Sequence, residues 1–417
     1  VRRLLALTLL TATAFGTALP VATAAPAPPR TGFETTGGAR WTGLDEEQAF
    51  LAAVDRASGH TSRTRIGTTV QGRPLDLVRI GSRYAPLTEL FICSQHGDEP
   101  SGREGCLGKL RDLAFAKPDR RVQYLFVPTA NPDGRAADTR GNANGVDINR
   151  DHLLLATPEA RAIAAVIRDE RPHVIHDLHE YGATPRFYDK DVTYLWSRNL
   201  NVHDAVHHES ETLSTRYAKP HVEKTGQNTG VYGIWTDPET GAPIRQVAGD
   251  GQERILRNTS GLKHAAGLLL ETKVDPKDAA EQADPALNRR RRVQAQLAAL
   301  DGTFELGARR SAQLRLAAER SRLGALAGRG PVYFGGADNE PAKPEDTEKT
   351  PACGYRLTDA QYAQHEEVLA LHGLWSVPVP GGRLVPRHQE GGRLVPLLLD
   401  ERADHGLVKA VALPHCV

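Results

Sequence analysis

Leu90-Phe91-Ile92-Cys93-Ser94-Gln95-His96-Gly97-Asp98-Glu99-Pro100-Ser101-Gly102 decides how this chain is read. An apolar run at Leu90–Cys93 stops at Gln95-His96, and a helical pattern follows over Gly102–Ala114. A strand, a polar turn and a helix are thus written in one stretch. The pattern returns downstream. Apolar runs at Tyr124–Pro128, His173–Leu178 and Gly267–Leu270 are separated by helical patterns at Pro158–Arg168 and Val202–Thr215. They lead into Asn131-Pro132-Asp133, His179-Glu180 and Glu271. Strands alternating with helices predict an α/β fold with a largely buried sheet. Open α/β sheets bind ligands at the carboxyl ends of their strands, which is where these reactive side chains fall.

Upstream, a helix is expected from Trp41 through Glu46–Ala57, then strand patterns at Thr64–Gln71 and Leu75–Ile80 turned at Gly72-Arg73-Pro74. Ala25–Arg40 is rich in Pro, Gly and Thr and reads as a flexible segment. Residues 1–24 read as an export signal. Arg2 and Arg3 precede an apolar run, and Ala22-Thr23-Ala24 forms a small-residue cleavage site. The expectation is a secreted, extracellular protein. Its four cysteines then suggest disulfides, and Cys93–Cys106 with Cys353–Cys416 is the favoured pairing. No later stretch is apolar enough to span a bilayer. A net charge of +1 gives no field to recruit nucleic acid. The basic run Arg289–Arg292 reads as a solvated helix face.

After Lys273 the composition changes. Asp278–Leu326 reads as long and helical, Gly335–Pro351 as a linker, and Tyr355–Gly373 as a helix. Gly-Gly-Arg-Leu-Val-Pro then occurs at Gly381 and again at Gly391, which suggests a hairpin or small β-module. The expected layout is a catalytic unit at 42–275, a helical extension at 276–334 and a C-terminal module at 335–417.

Zinc accepts imidazole nitrogens and carboxylate oxygens, and a catalytic site leaves one position for water. His96 and Glu99 form an H-x-x-E step that supplies two donors. His173, His176 and His179 share one strand, and His179 lies nearest its carboxyl end. Alternation puts His173 and Asp177 on the face of His179, with His176 opposite. Glu271 ends an apolar run, where burial raises a carboxylate's proton affinity and suits it to act as a base. Arg140 to Arg150 is a Gly- and Asn-rich loop whose arginines suit a carboxylate or an oxyanion. The histidines at 203, 207 and 208 lack an H-E-x-x-H context and read as a surface helix.

In order, these stretches resemble the zinc carboxypeptidase family, the metallocarboxypeptidases related to carboxypeptidase A. The resemblance runs from about Thr42 to Lys273. It rests on Gly72-Arg73-Pro74, His96-Gly97-Asp98-Glu99-Pro100, Asn131-Pro132-Asp133-Gly134, Gly145-Val146-Asp147-Ile148-Asn149-Arg150, Asp177-Leu178-His179 and Leu269-Leu270-Glu271-Thr272-Lys273. It implies a mixed sheet flanked by helices and one Zn2+ ion held by His96, Glu99 and His179. It also implies Glu271 as general base, Arg140 at the scissile carbonyl, and Asn149 with Arg150 on the terminal carboxylate of a peptide or protein substrate. Three features depart from it, the first being Lys273, which stands where many members of the family have Arg. The family's capping tyrosine has no counterpart in Gln246–Gln252, with Tyr232 the nearest. The specificity position falls near Arg254. A zinc-dependent deacylase or amidase on N-acylated amino acids or cell-wall peptides is the alternative, and a non-catalytic zinc-bearing binding protein a third reading.

Overall fold

The structure is a computed structural model that describes residues 27–117 and 119–416. The leader read at residues 1–24 lies outside the described residues. The main sheet is built from β1 (Thr61–Thr68), β2 (Pro74–Ile80), β3 (Leu87–Cys93), β4 (Val122–Val127), β5 (Val174–Tyr181), β6 (Val192–Trp196), β7 (Thr229–Val231) and, after a short pair β8 (Ile234–Thr236) and β9 (Pro243–Gln246), β10 (Ala266–Lys273). Its order is β1-β2-β4-β3-β5-β10-β6-β7. The centre, β4-β3-β5-β10, is parallel, and β2 and β6 join it antiparallel. The mixed sheet flanked by helices is as expected. Strands β6 and β7 are additions that the sequence pattern did not announce.

Every residue of β3, β5 and β10 is buried, as a parallel strand covered on both faces requires. On one face the helix Ser101–Phe115 and the long helix Pro285–Leu326 pack Leu107, Leu110 and Leu300 against Phe91, Phe126 and Leu178. On the other, Ile163, Val166 and Ile167 of the helix Pro158–Glu170 meet Leu90, Ile92 and Ile175. Gly102 lets the first helix sit close, because a Cβ there would come within 2.7 Å of Leu178. The expected long helix begins late: Asp284 caps it and Pro285 occupies its first turn. Both favoured disulfides are present, Cys93–Cys106 and Cys353–Cys416.

Three regions differ from the sequence reading. The segment expected to be flexible carries a capped helical turn, Gly32–Thr35, and Phe33 is buried and stacks on Trp41 at 5.5 Å. Arg289–Arg292 is not a solvated face. Arg291 and Arg292 are buried on Glu281 and Glu180, at 2.8 and 2.6 Å, while Arg289 and Arg292 lie over the Trp41 ring. Tyr355–Gly373 is not one helix: Gly354–Leu357 is strand β13, and Thr358 caps the helix Asp359–Leu371 through a capping box with Gln361. With β11 (Val332–Tyr333), β12 (Thr347–Glu348), β14 (Val377–Val379), β15 (Gly382–Pro386) and β16 (Val411–Leu413), the C-terminal part is β-containing, as expected. β14-β15-β13-β16 form a sheet of their own.

Candidate metal centre and active-site cleft

The register of the central strands assembles the site. β10 runs parallel to β5 with Glu271 beside His179. β3 flanks β5 on the other side, with Cys93 beside Leu178. Ser94 takes a left-handed conformation, φ 56°, which turns the chain sharply out of the sheet. His96 and Glu99 are thereby carried over the end of β5. Gly97 is needed in that turn, because a Cβ there would fall 1.9 Å from the carbonyl carbon of Gly134. Gly134 in turn has no room beside Gly141 O, 2.5 Å from where its Cβ would stand. Three loops thus meet backbone to backbone, and the third carries Arg140.

His96 Nδ1 lies 2.7 Å from Glu99 Oε1, and His179 Nδ1 2.7 Å from Glu99 Oε2. The two Nδ1 atoms are 3.1 Å apart. All three side chains are buried, and among the described residues they form the one cluster of three metal-ligating groups. Two imidazoles and a carboxylate converging at the edge of a cleft are a donor set that zinc accepts. Behind it, Asp177 Oδ1 lies 2.9 Å from His179 Nε2 and is held by Gln95 Nε2 at 2.7 Å. His176 points to the other face, where it meets Thr303, and His173 accepts from Thr88 N near the start of the strand. His207 of the second histidine group contacts the Ser197 carbonyl.

Burial opposes ionisation of Glu99, but the His96 and His179 imidazoles overcome it and hold its pKa far below the usual carboxylate range. Burial likewise disfavours a charged His179, yet Asp177 and Glu99 raise its pKa well above the usual imidazole range. Glu271 shows the reverse. Burial pushes its pKa well above the usual range, and the attraction of His179 does not offset that. Its carboxylate accepts no hydrogen bond from any described residue.

His96, Glu99, Arg140, Asn149, Arg150 and Glu271 line one cleft of about 1080 Å³. Asp147, in the same Gly- and Asn-rich loop, stands 3.0 Å from His96 Nε2 and accepts from Arg140 Nε and Nη2 at 3.1 and 2.9 Å. It ties the loop arginine to a metal-ligand candidate. The signal was an acid seven residues after Arg140 in a Gly-rich loop, which by itself says nothing of His96. Arg150 presents a part-exposed guanidinium that donates to the Asn149 carbonyl at 2.9 Å. Asn149 is more committed than the resemblance implies. Its Nδ2 donates to Asp177 at 3.2 Å and its Oδ1 accepts from Leu256 N at 2.9 Å, so its amide braces the support of His179.

Tyr232 also lines the cleft, and the Glu271 charge, then burial, raises its phenol's pKa. From the stretch that lacks a tyrosine, Val247, Ala248, Gly249 and Asp250 reach the cleft. Arg254 does not: its Nε donates to Gln252 at 2.7 Å, and Ile255 and Arg257 face the cleft instead. Trp41, Arg289 and Arg292 also line the cleft, so chain outside 42–275 contributes to the wall.

A buried sheet with a His-Glu-His donor set at its strand ends, and a free buried carboxylate alongside, fits the class of metal-dependent hydrolases. Within that class the chain belongs to the zinc carboxypeptidase family, whose model matches residues 47–264. Carboxypeptidase 2 of Trichophyton tonsurans is 30% identical over 190 residues, which cover 43% of this chain and 35% of that protein. Carboxypeptidase SOL1 of Arabidopsis thaliana is 32% identical over 160 residues, 33% of each chain. The chain thus matches about a third of the length of these relatives. The carboxypeptidase A of Helicoverpa armigera shares the fold, with a TM-score of 0.51 at 15% identity over 67% of this chain and 75% of that one.

Proposed function

We propose that this chain is a secreted, zinc-dependent carboxypeptidase that releases residues from the free C-termini of peptides. The observation that carries this reading is the single cleft onto which His96, Glu99, Glu271, Arg140 and Arg150 all open. One Zn2+ held by His96, Glu99 and His179 would supply Lewis-acid polarisation and a water that ionises near neutral pH. Glu271, buried and without a competing donor, takes the proton of that water and passes it to the leaving amine. Arg140, fixed by Asp147, points N–H groups at the oxygen on which negative charge develops. Arg150 meets the terminal carboxylate with a fork of two donors, which sets the register of cleavage. Asn149 beside it keeps Asp177, and through it His179, in place. Two disulfides support a location outside the reducing cytoplasm.

Rates on matched peptides with free and amidated C-termini test the reading. Amidation removes the charge that Arg150 meets, so amidated peptides should be cut far more slowly. A chelator should stop release, and added zinc should restore it. Equal rates on both peptides would instead favour the amidase or an endopeptidase.

A further inference from the structure

Among the guanidiniums of the cleft that have no role in that scheme, Arg257 stands out. Arg257, on the helix Leu256–Leu262, is 2% exposed yet lines the cleft together with Arg150, Tyr232 and Asp250. Its Nη2 donates to the Asp250 carbonyl at 2.5 Å, whereas its Nε is buried without a partner among the described residues. The nearest carboxylate, Asp250, stands 3.9 Å away, is part-exposed, and spends its oxygens on Gln252. Burial, only partly offset by Asp250, depresses the Arg257 pKa to about 10, and the charge of Arg150 adds to that. A buried cation without a close counter-ion is costly, and an anion arriving with the substrate removes that cost. Arg150 takes the main-chain carboxylate in the proposed function, on which this inference rests. A neutral terminal residue would leave Arg257 unmatched.

We propose that Arg257 is a specificity residue that selects substrates whose C-terminal residue carries an acidic side chain. Ile255 beside it on the wall gives the methylene stem of such a side chain an apolar contact. The side-chain carboxylate then meets the guanidinium in the directional pairing that arginine favours.

Peptides identical except for a terminal Glu, Gln or Leu test this by kcat/KM. Glu should exceed its isostere Gln by roughly thirtyfold or more, chiefly through KM, as expected for a buried charge that gains or lacks its partner. In Arg257→Gln that ratio should collapse toward one. A parent enzyme that cuts the Gln peptide as well as the Glu peptide overturns the proposal. So does a variant that keeps the ratio, since Arg257 would then only brace the Asp250 loop or hold the main-chain carboxylate. Calorimetry with free glutamate and glutamine on the parent and Arg257→Gln proteins gives a second ranking that needs no turnover. If no peptide is cut at its C-terminus, the carboxypeptidase reading fails. Tighter glutamate binding that is lost in Arg257→Gln would still support the selection, and equal binding would end it.

Discussion

Glu99, on the turn after β3, and Glu271, at the end of β10, are equally buried, at 6% exposure each. Burial alone would push both carboxyl groups toward the neutral form. Glu99 is nevertheless held ionised, because each of its oxygens meets an imidazole at 2.7 Å. Glu271 has no donor among the described residues and keeps its raised pKa. The same residue type at the same depth is thus placed, in the proposed function, to serve as a ligand on one wall and as a base on the other. The difference lies in the partners that each wall supplies, since a hydrogen bond to a charged group is worth about 1.5–3 kcal/mol. The comparison also shows why a strand-end position did not by itself assign a role to either glutamate.

Exchanging each acid for its amide is the sharpest way to break this comparison. Glu99→Gln should lose zinc, measured by metal analysis after dialysis, and turnover should vanish with it. Retained zinc would show that His96 and His179 suffice. Glu271→Gln should keep zinc while kcat falls about 10²- to 10⁴-fold, the usual contribution of a general base. Turnover within a few-fold of the parent would place the base elsewhere. Asp147→Asn tests the link between Arg140 and His96. It should lower zinc affinity or kcat by about 10- to 100-fold, the usual effect of removing a residue that orients a ligand, and an unchanged enzyme would reduce Asp147 to a loop brace.

The smallest effect expected is on pH. In the metal-free protein, burial disfavours a charged His179 but Asp177 and Glu99 raise its pKa, so zinc must displace a proton held more tightly than by a free imidazole. Each proton displaced weakens zinc binding about tenfold per unit of falling pH, below the raised pKa. Chelator competition over about pH 6 to 8 should show that slope, and a flat profile would mean that His179 is already neutral in the metal-free protein.

Much of the site was legible because its parts are local. His96 and Glu99 sit in one turn, Arg140, Asn149 and Arg150 in one loop, and Asp177 and His179 on one face of a strand. Period-two alternation separated His176 from them correctly, and the structure places it against Thr303. Arg257 escaped notice because it sits on a short helix whose depth in the cleft no periodicity reveals. The Arg289–Arg292 run was misjudged for a related reason. Its counter-ions Glu180 and Glu281 and its aromatic partner Trp41 lie on other elements, and only packing brings them near.

The repeated Gly-Gly-Arg-Leu-Val-Pro marks where sequence stops deciding. From Gly381 it forms strand β15, paired with β13 and β14. From Gly391 the same six residues turn and enter the helix Leu394–Leu399, with Pro396 in the first turn, where its missing N–H costs nothing. The first copy continues into Arg387-His388-Gln389, whereas the second continues into Leu397-Leu398-Leu399, all buried in one core cluster. Sequence alone determined the central strands, the helix Ser101–Phe115 and the donor residues at the strand ends, because alternation, apolar runs and residue chemistry act over a few neighbours. Tertiary structure alone decided that Glu271 stands beside His179, that Asp147 ties Arg140 to His96, and which copy of the repeat is strand. Each of these depends on the partner that a distant segment brings, and burial makes that partner decisive.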